Sequence, residues 1–387
     1  MKKILAFTSI RSDYDLMKPL YNLLHDDDEI CFKLIVSGAH LSNAFGKSVE
    51  KIYVDNFDIL LEIETLLNSD SALGRLKSAS LLLQNSIDTI AQFSPDLILY
   101  AGDREDVLIY SMIGGYLNIP TLHFYAGDHV EDGYIDNPIR HATSKLSTAQ
   151  FVALEEHKNR LLRMGESESR AFVVGNISLD EFVDFHSMSK EQIKDHFNLS
   201  WDMQNFAVVI FHPVTSEKEN ADIYLENILN SLAEKDICAF VSYPNVDPGN
   251  QKIIDMIEKY QKNKNFFFYK NLDRDIFKSI YKNSRFIIGN SSSGICEAAS
   301  FKLPAINVGI RQTGRYAEEN VLFCGTEPDE IKASIDKSLS DSFQKQLLDM
   351  VNPYGTGDSA KKAYRIIKSN NFEEILEKKE DPLDVKL

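Results

Sequence analysis

Acids, bases and hydroxyls able to do chemistry gather in short stretches of this sequence, each just beyond an apolar run. In Ala101-Gly102-Asp103-Arg104-Glu105-Asp106 a glycine turn sets an acid beside a base. Asp103 suits either a catalytic carboxylate or an N-cap that satisfies the orphan N–H groups of a following helix. The densest ionisable cluster spans residues 125–141 and holds Asp128, His129, Glu131, Asp132, Asp136, Arg140 and His141. If a helix starts at Asp136, then Asp136 and Arg140 share one face and hold each other's orientation. A metal is a further use for these carboxylates and histidines, but their spacing fits no familiar ligand template. His212, in Phe211-His212-Pro213, has the near-neutral titration that proton transfer needs, with a buried structural histidine as the alternative.

Other stretches suit phosphate. Gly289-Asn290-Ser291-Ser292-Ser293-Gly294 lies between an apolar run and a helix start, so small side chains let backbone N–H groups approach an anion while the hydroxyls of Ser291 and Ser292 add donors. Glu297, one turn into that helix, can accept hydrogen bonds from a ribose. A second glycine-punctuated loop, Gly309-Ile310-Arg311-Gln312-Thr313-Gly314-Arg315, carries two arginines able to close over a pyrophosphate. Near the N-terminus, Thr8-Ser9-Ile10-Arg11-Ser12-Asp13-Tyr14 lacks the Gly-x-Gly-x-x-Gly fingerprint, which argues against a standard NAD or FAD site. Arg11 there is either a bidentate phosphate clamp or a solvated surface arginine.

These loops need a scaffold that presents them together. Short apolar runs at residues 4–8, 32–36, 97–100 and 120–124 alternate with helical periodicity at 14–24, 73–93 and 106–117. Such alternation predicts βαβ units on a parallel sheet buried on both faces. The pattern begins again after Trp201, with strand candidates at 206–211, 239–243, 266–269, 286–289 and 304–308. The expected fold is therefore α/β, with two Rossmann-like domains whose strand ends face a shared cleft.

Composition sets limits on function. A chain of 387 residues exceeds what one core normally serves, consistent with two domains. Its net charge of −16 argues against a general nucleic-acid binder, which needs clustered cations to release counterions. Cys31, Cys238, Cys296 and Cys324 show no Cys-x-x-Cys spacing and read as reduced thiols. The opening apolar run is too short for a signal peptide, and no stretch approaches the roughly 20 apolar residues that span a bilayer. A soluble cytoplasmic protein without membrane attachment is expected.

Taken together, the loops resemble the hydrolysing UDP-N-acetylglucosamine 2-epimerases, namely the bacterial sialic- and legionaminic-acid pathway enzymes and the epimerase domain of the bifunctional animal enzyme. The strings that carry the resemblance are RSDY at Arg11, GDRED at Gly102, IDNPIRHATSKL at Ile135, FHPVTSE at Phe211, YPNVDPG at Tyr243, GNSSSGICEA at Gly289 and NVGIRQTGRYAEENVL at Asn307. They cover both halves in the family's order. The resemblance implies a glycosyltransferase-B-like fold with an N-terminal domain at 1–180 on the sugar side, a UDP-binding domain at 181–365, and a C-terminal helix and tail at 366–387. The charged residues after Phe372 are expected to fray.

By the same resemblance Arg11, Arg104, Ser291, Ser292, Glu297 and Arg311 bind UDP, while Asp103, Asp136, Arg140 and His212 surround the reacting sugar. The implied reaction takes UDP-GlcNAc, or a UDP-2,4-diacetamido-6-deoxy sugar, to the free manno-configured sugar and UDP through a 2-acetamidoglucal. It needs no metal or nicotinamide, and a homodimer is expected. A glycosyltransferase on the same fold and a non-catalytic UDP-sugar binder are the competing readings. One departure stands out. Where the family reads His-x-Glu-Gly-Gly-Glu, this chain has His123-Phe124-Tyr125-Ala126-Gly127-Asp128. Tyr125, a phenol with an ordinary pKa of about 10, replaces a catalytic glutamate. Asp128 or Glu131 must then substitute, Tyr125 must be activated, or the activity has changed.

Overall fold

The computed structural model describes residues 1–67, 72–131, 135–183, 185–245, 249–270 and 272–382. Asp132 of the ionisable loop and residues 246–248 of the YPNVDPG string lie outside these. The chain divides into two compact units, one of Met1–Asp128, Ile135–Glu181 and Gly357–Leu387, the other of His129–Tyr134 and Phe182–Thr356.

In the first unit, β1 (Lys2–Thr8), β2 (Ile30–Ser37), β3 (Ile59–Ile63), β4 (Leu97–Ala101), β5 (Thr121–Phe124), β6 (Ala149–Val152) and β7 (Ala171–Val173) form a sheet ordered β3-β2-β1-β4-β5-β6-β7. Every pairing is parallel. Helices α1 (Arg11–His25), α2 (Val49–Val54), α3 (Ala72–Phe93), α4 (Glu105–Tyr116), α5 (Asp136–Leu146) and α6 (Glu155–Arg163) connect the strands. Alternation along a strand sends successive side chains to opposite faces. Ile4 and Ala6 accordingly join one buried cluster with Leu97 and Leu99, whereas Leu5 and Phe7 join another with Ile98 and Tyr100. A sheet apolar on both faces must carry helices on both. The strand order reverses between β1 and β4, so the turns that follow them diverge and leave room at the carboxyl edge. Tyr100 pairs with His123 in the β4–β5 register, which makes the turns after those two strands neighbours.

The second unit repeats the plan. Strands β8 (Phe206–Ile210), β9 (Cys238–Ser242), β10 (Phe266–Tyr269), β11 (Ile287–Gly289), β12 (Ala305–Val308) and β13 (Val321–Cys324) give a parallel sheet ordered β10-β9-β8-β11-β12-β13. Its switch point falls between β8 and β11. His212 and the serine-rich loop follow those two strands.

Four strands were absent from the sequence expectation. β3 and β13 lie at sheet edges and are mostly half-exposed, so they lack a continuous apolar signature. β6 and β7 are only four and three residues long. The chain also ends differently from the division at residue 365: from Gly357 it belongs to the first unit. Ala360, Ala363 and Ile367 of the helix Ser359–Ser369 join that unit's core. Residues 372–382 do not fray: Phe372 is buried in the same core, and Arg170 and Glu166 bind the segment that follows.

Asp180 caps this returning helix from a distant part of the chain, its Oδ1 accepting from the Ser359 N–H at 2.9 Å and its Oδ2 from the Ala360 N–H at 2.8 Å. Asp180→Ala leaves both donors without a partner and should cost about 1–2 kcal/mol, measured as a lowered urea midpoint with an unchanged m-value.

Candidate active site

Within the first unit, Arg140 organises the acids. Its side chain is 4% exposed and its Nη2 donates to Asp103 Oδ2. Nη1 reaches the Asp128 carbonyl at 3.1 Å and Asn137 Oδ1 at 3.3 Å. One guanidinium thus joins the turn after β4, the turn after β5 and the first turn of α5. Asp103 sits behind Gly102, whose φ of +100° is a left-handed backbone that glycine adopts freely. The N-cap of α4 is Arg104, with no side-chain cap, so Asp103 is free of the capping role open to it in the sequence. The Asp136–Arg140 pair expected from spacing is not a hydrogen bond, since Arg140 turns to Asp103 and Asn137 instead.

Electrostatics tune this group. Burial, then the nearby Asp103 carboxylate, push Asp136 up to about 6, against the pull of Arg140, Arg104 and Arg75. Arg75 on α3 is held by Glu105 through contacts of 3.0 and 2.6 Å. Burial opposes the charge of Arg104, but Asp106, Glu105, Asp13 and Asp103 outweigh it and keep the guanidinium charged. Asp13 and Asp106 are themselves raised, chiefly by burial, with Arg104 opposing. Arg11 lies half-exposed at the start of α1, 3.4 Å from Asp15.

His123 on β5 carries no local sequence signal of its role. Its buried Nε2 faces the Gly102 carbonyl at 2.8 Å and its Nδ1 faces Ser144 Oγ at 3.0 Å, so it ties β5 to the Asp103 turn and to α5. Burial lowers it to about 4, so it stays neutral. Tyr125 is committed elsewhere: its hydroxyl lies 3.1 Å from Asn176 Oδ1 and 3.3 Å from the Leu16 carbonyl. Asp128 Oδ1 lies 3.4 Å from Nε2 of buried His157. A Cβ on Gly127, at φ +73°, would sit 2.4 Å from the His157 carbonyl, which fixes glycine before Asp128.

Within the second unit the hub is Asn290, whose role no local sequence pattern announces. Its Oδ1 accepts from the His212 N–H and its Nδ2 donates to the His212 carbonyl, both at 2.8 Å. Its own carbonyl accepts from Arg311 Nη1 at 3.2 Å and Gln312 Nε2 at 2.9 Å. His212 Nδ1 accepts from the Asn245 N–H at 3.2 Å, leaving the proton on Nε2. Burial and Arg311 lower His212 to about 3. The imidazole is a neutral donor, not the near-neutral titrating group read from the sequence. Ser291 caps the helix Ser292–Cys296 through Ser293 N–H. Ser293 Oγ donates to Glu297, which also lies 3.5 Å from Arg274. Among the described residues no cluster of three or more His, Cys, Asp or Glu is arranged to hold a metal, and no helix is long and apolar enough to cross a membrane.

Two parallel-sheet α/β domains, each with its polar side chains at a switch point, are the architecture of the glycosyltransferase-B-like sugar-nucleotide enzymes. UDP-GlcNAc 2-epimerase from Neisseria meningitidis, solved bound to UDP-GlcNAc, superposes with a TM-score of 0.80 over 96% of this chain and 100% of that one, at 20% identity. The Methanocaldococcus jannaschii enzyme, solved with UDP-GlcNAc and UDP, gives 0.75 over 96% and 100%, at 19% identity. Those likenesses establish the fold. This chain belongs to the UDP-N-acetylglucosamine 2-epimerase family, whose model matches residues 22–368. It is 31% identical over 95% of its length to UDP-N,N'-diacetylbacillosamine 2-epimerase (hydrolyzing) of Legionella pneumophila, covering 96% of that protein. It is 28% identical over 95% of its length to polysialic acid biosynthesis protein P7 of Escherichia coli, covering 94% of it.

Folded Asp136 holds its proton to about pH 6, whereas an unfolded aspartate ionises near about 4. Its ionisation therefore costs stability that is absent below about pH 4 and fully felt above about pH 6. Asp136→Asn should gain on the unsubstituted protein between those limits by on the order of 2 kcal/mol, read from urea unfolding at both ends; a constant difference would refute the shift. Separately, a Cβ on Gly289 would lie 2.0 Å from the Ile210 carbonyl. Gly289→Ala must part β8 from β11 and should cost on the order of 3 kcal/mol by the same measurement.

Proposed function

We propose that this chain is a hydrolysing 2-epimerase that converts a UDP-2-acetamido sugar to the free manno-configured sugar and UDP. The observation that carries the reading is the Asp103–Arg140 pair beside Asp136, a carboxyl poised near neutrality by burial and by a second acid. A group with that affinity can both take and return a proton at physiological pH.

In the first half-reaction a carboxylate removes the proton from C2. The C1–O bond breaks as C1=C2 forms, UDP leaves with the bonding pair, and a 2-acetamidoglucal remains. Water oxygen then adds at C1 while C2 takes a proton on the opposite face. Asp103, Asp136 and Arg140 surround the sugar in this scheme. Arg104, kept charged by its acidic neighbours, and Arg11 act with Ser291, Ser292, Glu297 and Arg311 on the UDP. His212, a neutral Nε2–H donor, and the arginines offset charge that grows on the departing diphosphate. Asp128 takes the part of the missing glutamate, because the Tyr125 hydroxyl is engaged with Asn176 and Leu16.

For the sugar, the 4-acetamido class is preferred to UDP-GlcNAc, because the Legionella relative carries that substrate in its name. The reading includes a cytoplasmic homodimer that uses neither metal nor nicotinamide.

The test is incubation with each UDP-sugar in deuterated water, following UDP release and deuterium at C2 by NMR. Released UDP and a C2-deuterated manno sugar are expected, faster with the diacetamido substrate. Binding of UDP without release or exchange would replace the epimerase with a transferase lacking its acceptor or with a binding protein. Asp103→Asn and Asp136→Asn should each lower kcat by about 10²–10³-fold while UDP affinity, measured by calorimetry, stays within a few-fold.

A further inference from the structure

The helix that carries Asp136 and Arg140 is held at its far end by the last residues of the chain. Helix α5 finishes at Leu146, and its final carbonyls have no partner within the helix. Lys378 Nζ supplies one, donating to the Ser144 carbonyl at 3.1 Å and the Lys145 carbonyl at 2.9 Å. A cation there also opposes the negative end of the helix dipole. The ammonium is locked from behind by Glu166, 2.6 Å away and 1% exposed, which pairs with Lys145 as well. Arg170, itself 2% exposed, fixes the backbone on either side: it binds the carbonyls of Ile375 and Glu377, the carboxylate of Glu380, and the Thr148 carbonyl just beyond α5.

This attachment communicates with the reacting end of the unit through short contacts. Ser144, whose carbonyl Lys378 grips, places its Oγ 3.0 Å from both the Arg140 carbonyl and His123 Nδ1. His123 in turn reaches the Gly102 carbonyl, one residue before Asp103. The tail thus bears on both partners of the Asp103–Arg140 pair. Resting on the epimerase reading above, we infer that residues 375–380 are a positioning element for the reaction, with Lys378 acting through the end of α5 on Arg140 and Asp136. A displacement of about 1 Å at a reacting group costs up to about 10²-fold in rate, so a loosened helix end reaches the chemistry even though the tail touches no substrate.

Lys378→Met tests this in the full-length protein, with Lys378→Gln as the milder change and Lys378→Arg as the restoring one. The expected outcome is kcat lowered about tenfold with KM within about twofold, and recovery of most of the loss in Lys378→Arg. A substrate-free arm follows the Asp136 carboxyl by NMR titration. That carboxyl faces Asp103 and Arg104 from the β4–α4 turn, Arg140 on its own helix and Arg75 from α3. A moved α5 changes those distances, so the titration midpoint should shift in Lys378→Met and return in Lys378→Arg. A lowered melting temperature with unchanged kcat and unchanged Asp136 titration would make the tail merely structural and overturn the proposal. If the unsubstituted protein turns over no UDP-sugar, the epimerase reading falls, and the titration arm alone decides whether the tail positions α5.

Discussion

A guanidinium cannot shed its charge, and Arg140 is almost entirely withdrawn from water. An uncompensated cation there would cost several kcal/mol, so the surrounding chain has to supply acceptors. It does so with Asp103 from the turn after β4, the Asp128 carbonyl from the turn after β5 and Asn137 from the first turn of its own helix. The requirement to neutralise one buried charge therefore fixes the mutual positions of the turns after β4 and β5 and the start of α5. Asp136 then falls where burial and a neighbouring carboxylate raise its proton affinity.

The second unit solves a comparable problem with an amide. Asn290 satisfies the backbone of His212 in both directions and offers its own carbonyl to Arg311 and Gln312. This holds a neutral imidazole and a permanent cation together on the loops that follow β8, β11 and β12. Donors fixed in this way need little rearrangement when negative charge arrives, which is the condition for electrostatic stabilisation of a leaving group.

How much of this was legible in the sequence depends on the range of each interaction. Most central strands showed as apolar runs because strands buried on both faces carry few polar positions, and the serine-rich loop showed because backbone approach demands small residues over a few consecutive positions. Spacing along a helix suggested Asp136 as the partner of Arg140, whereas the fold chose Asp103, 37 residues away. Nothing local announces that. His212 looked like a titrating histidine because its ordinary affinity is near neutral, but burial beside Arg311 removes its charge, and burial belongs to the packed chain. The tail looked loose for the same reason: its Glu380 pairs with Arg170 and its Lys378 with Glu166, more than 200 positions earlier.

The order in which the chain is made gives the return of residues 357–382 to the first unit a separate meaning. Apart from residues 129–134, the second unit is one uninterrupted stretch, Phe182–Thr356, and has all of its own sheet once that stretch has been synthesised. The first unit begins earlier yet lacks Ala360, Ala363, Ile367 and Phe372 from its core until the second unit has been synthesised. Domains fold as units during synthesis when their parts are present. The half that starts first must therefore wait, with part of its apolar surface uncovered, for the half inserted into it to be finished.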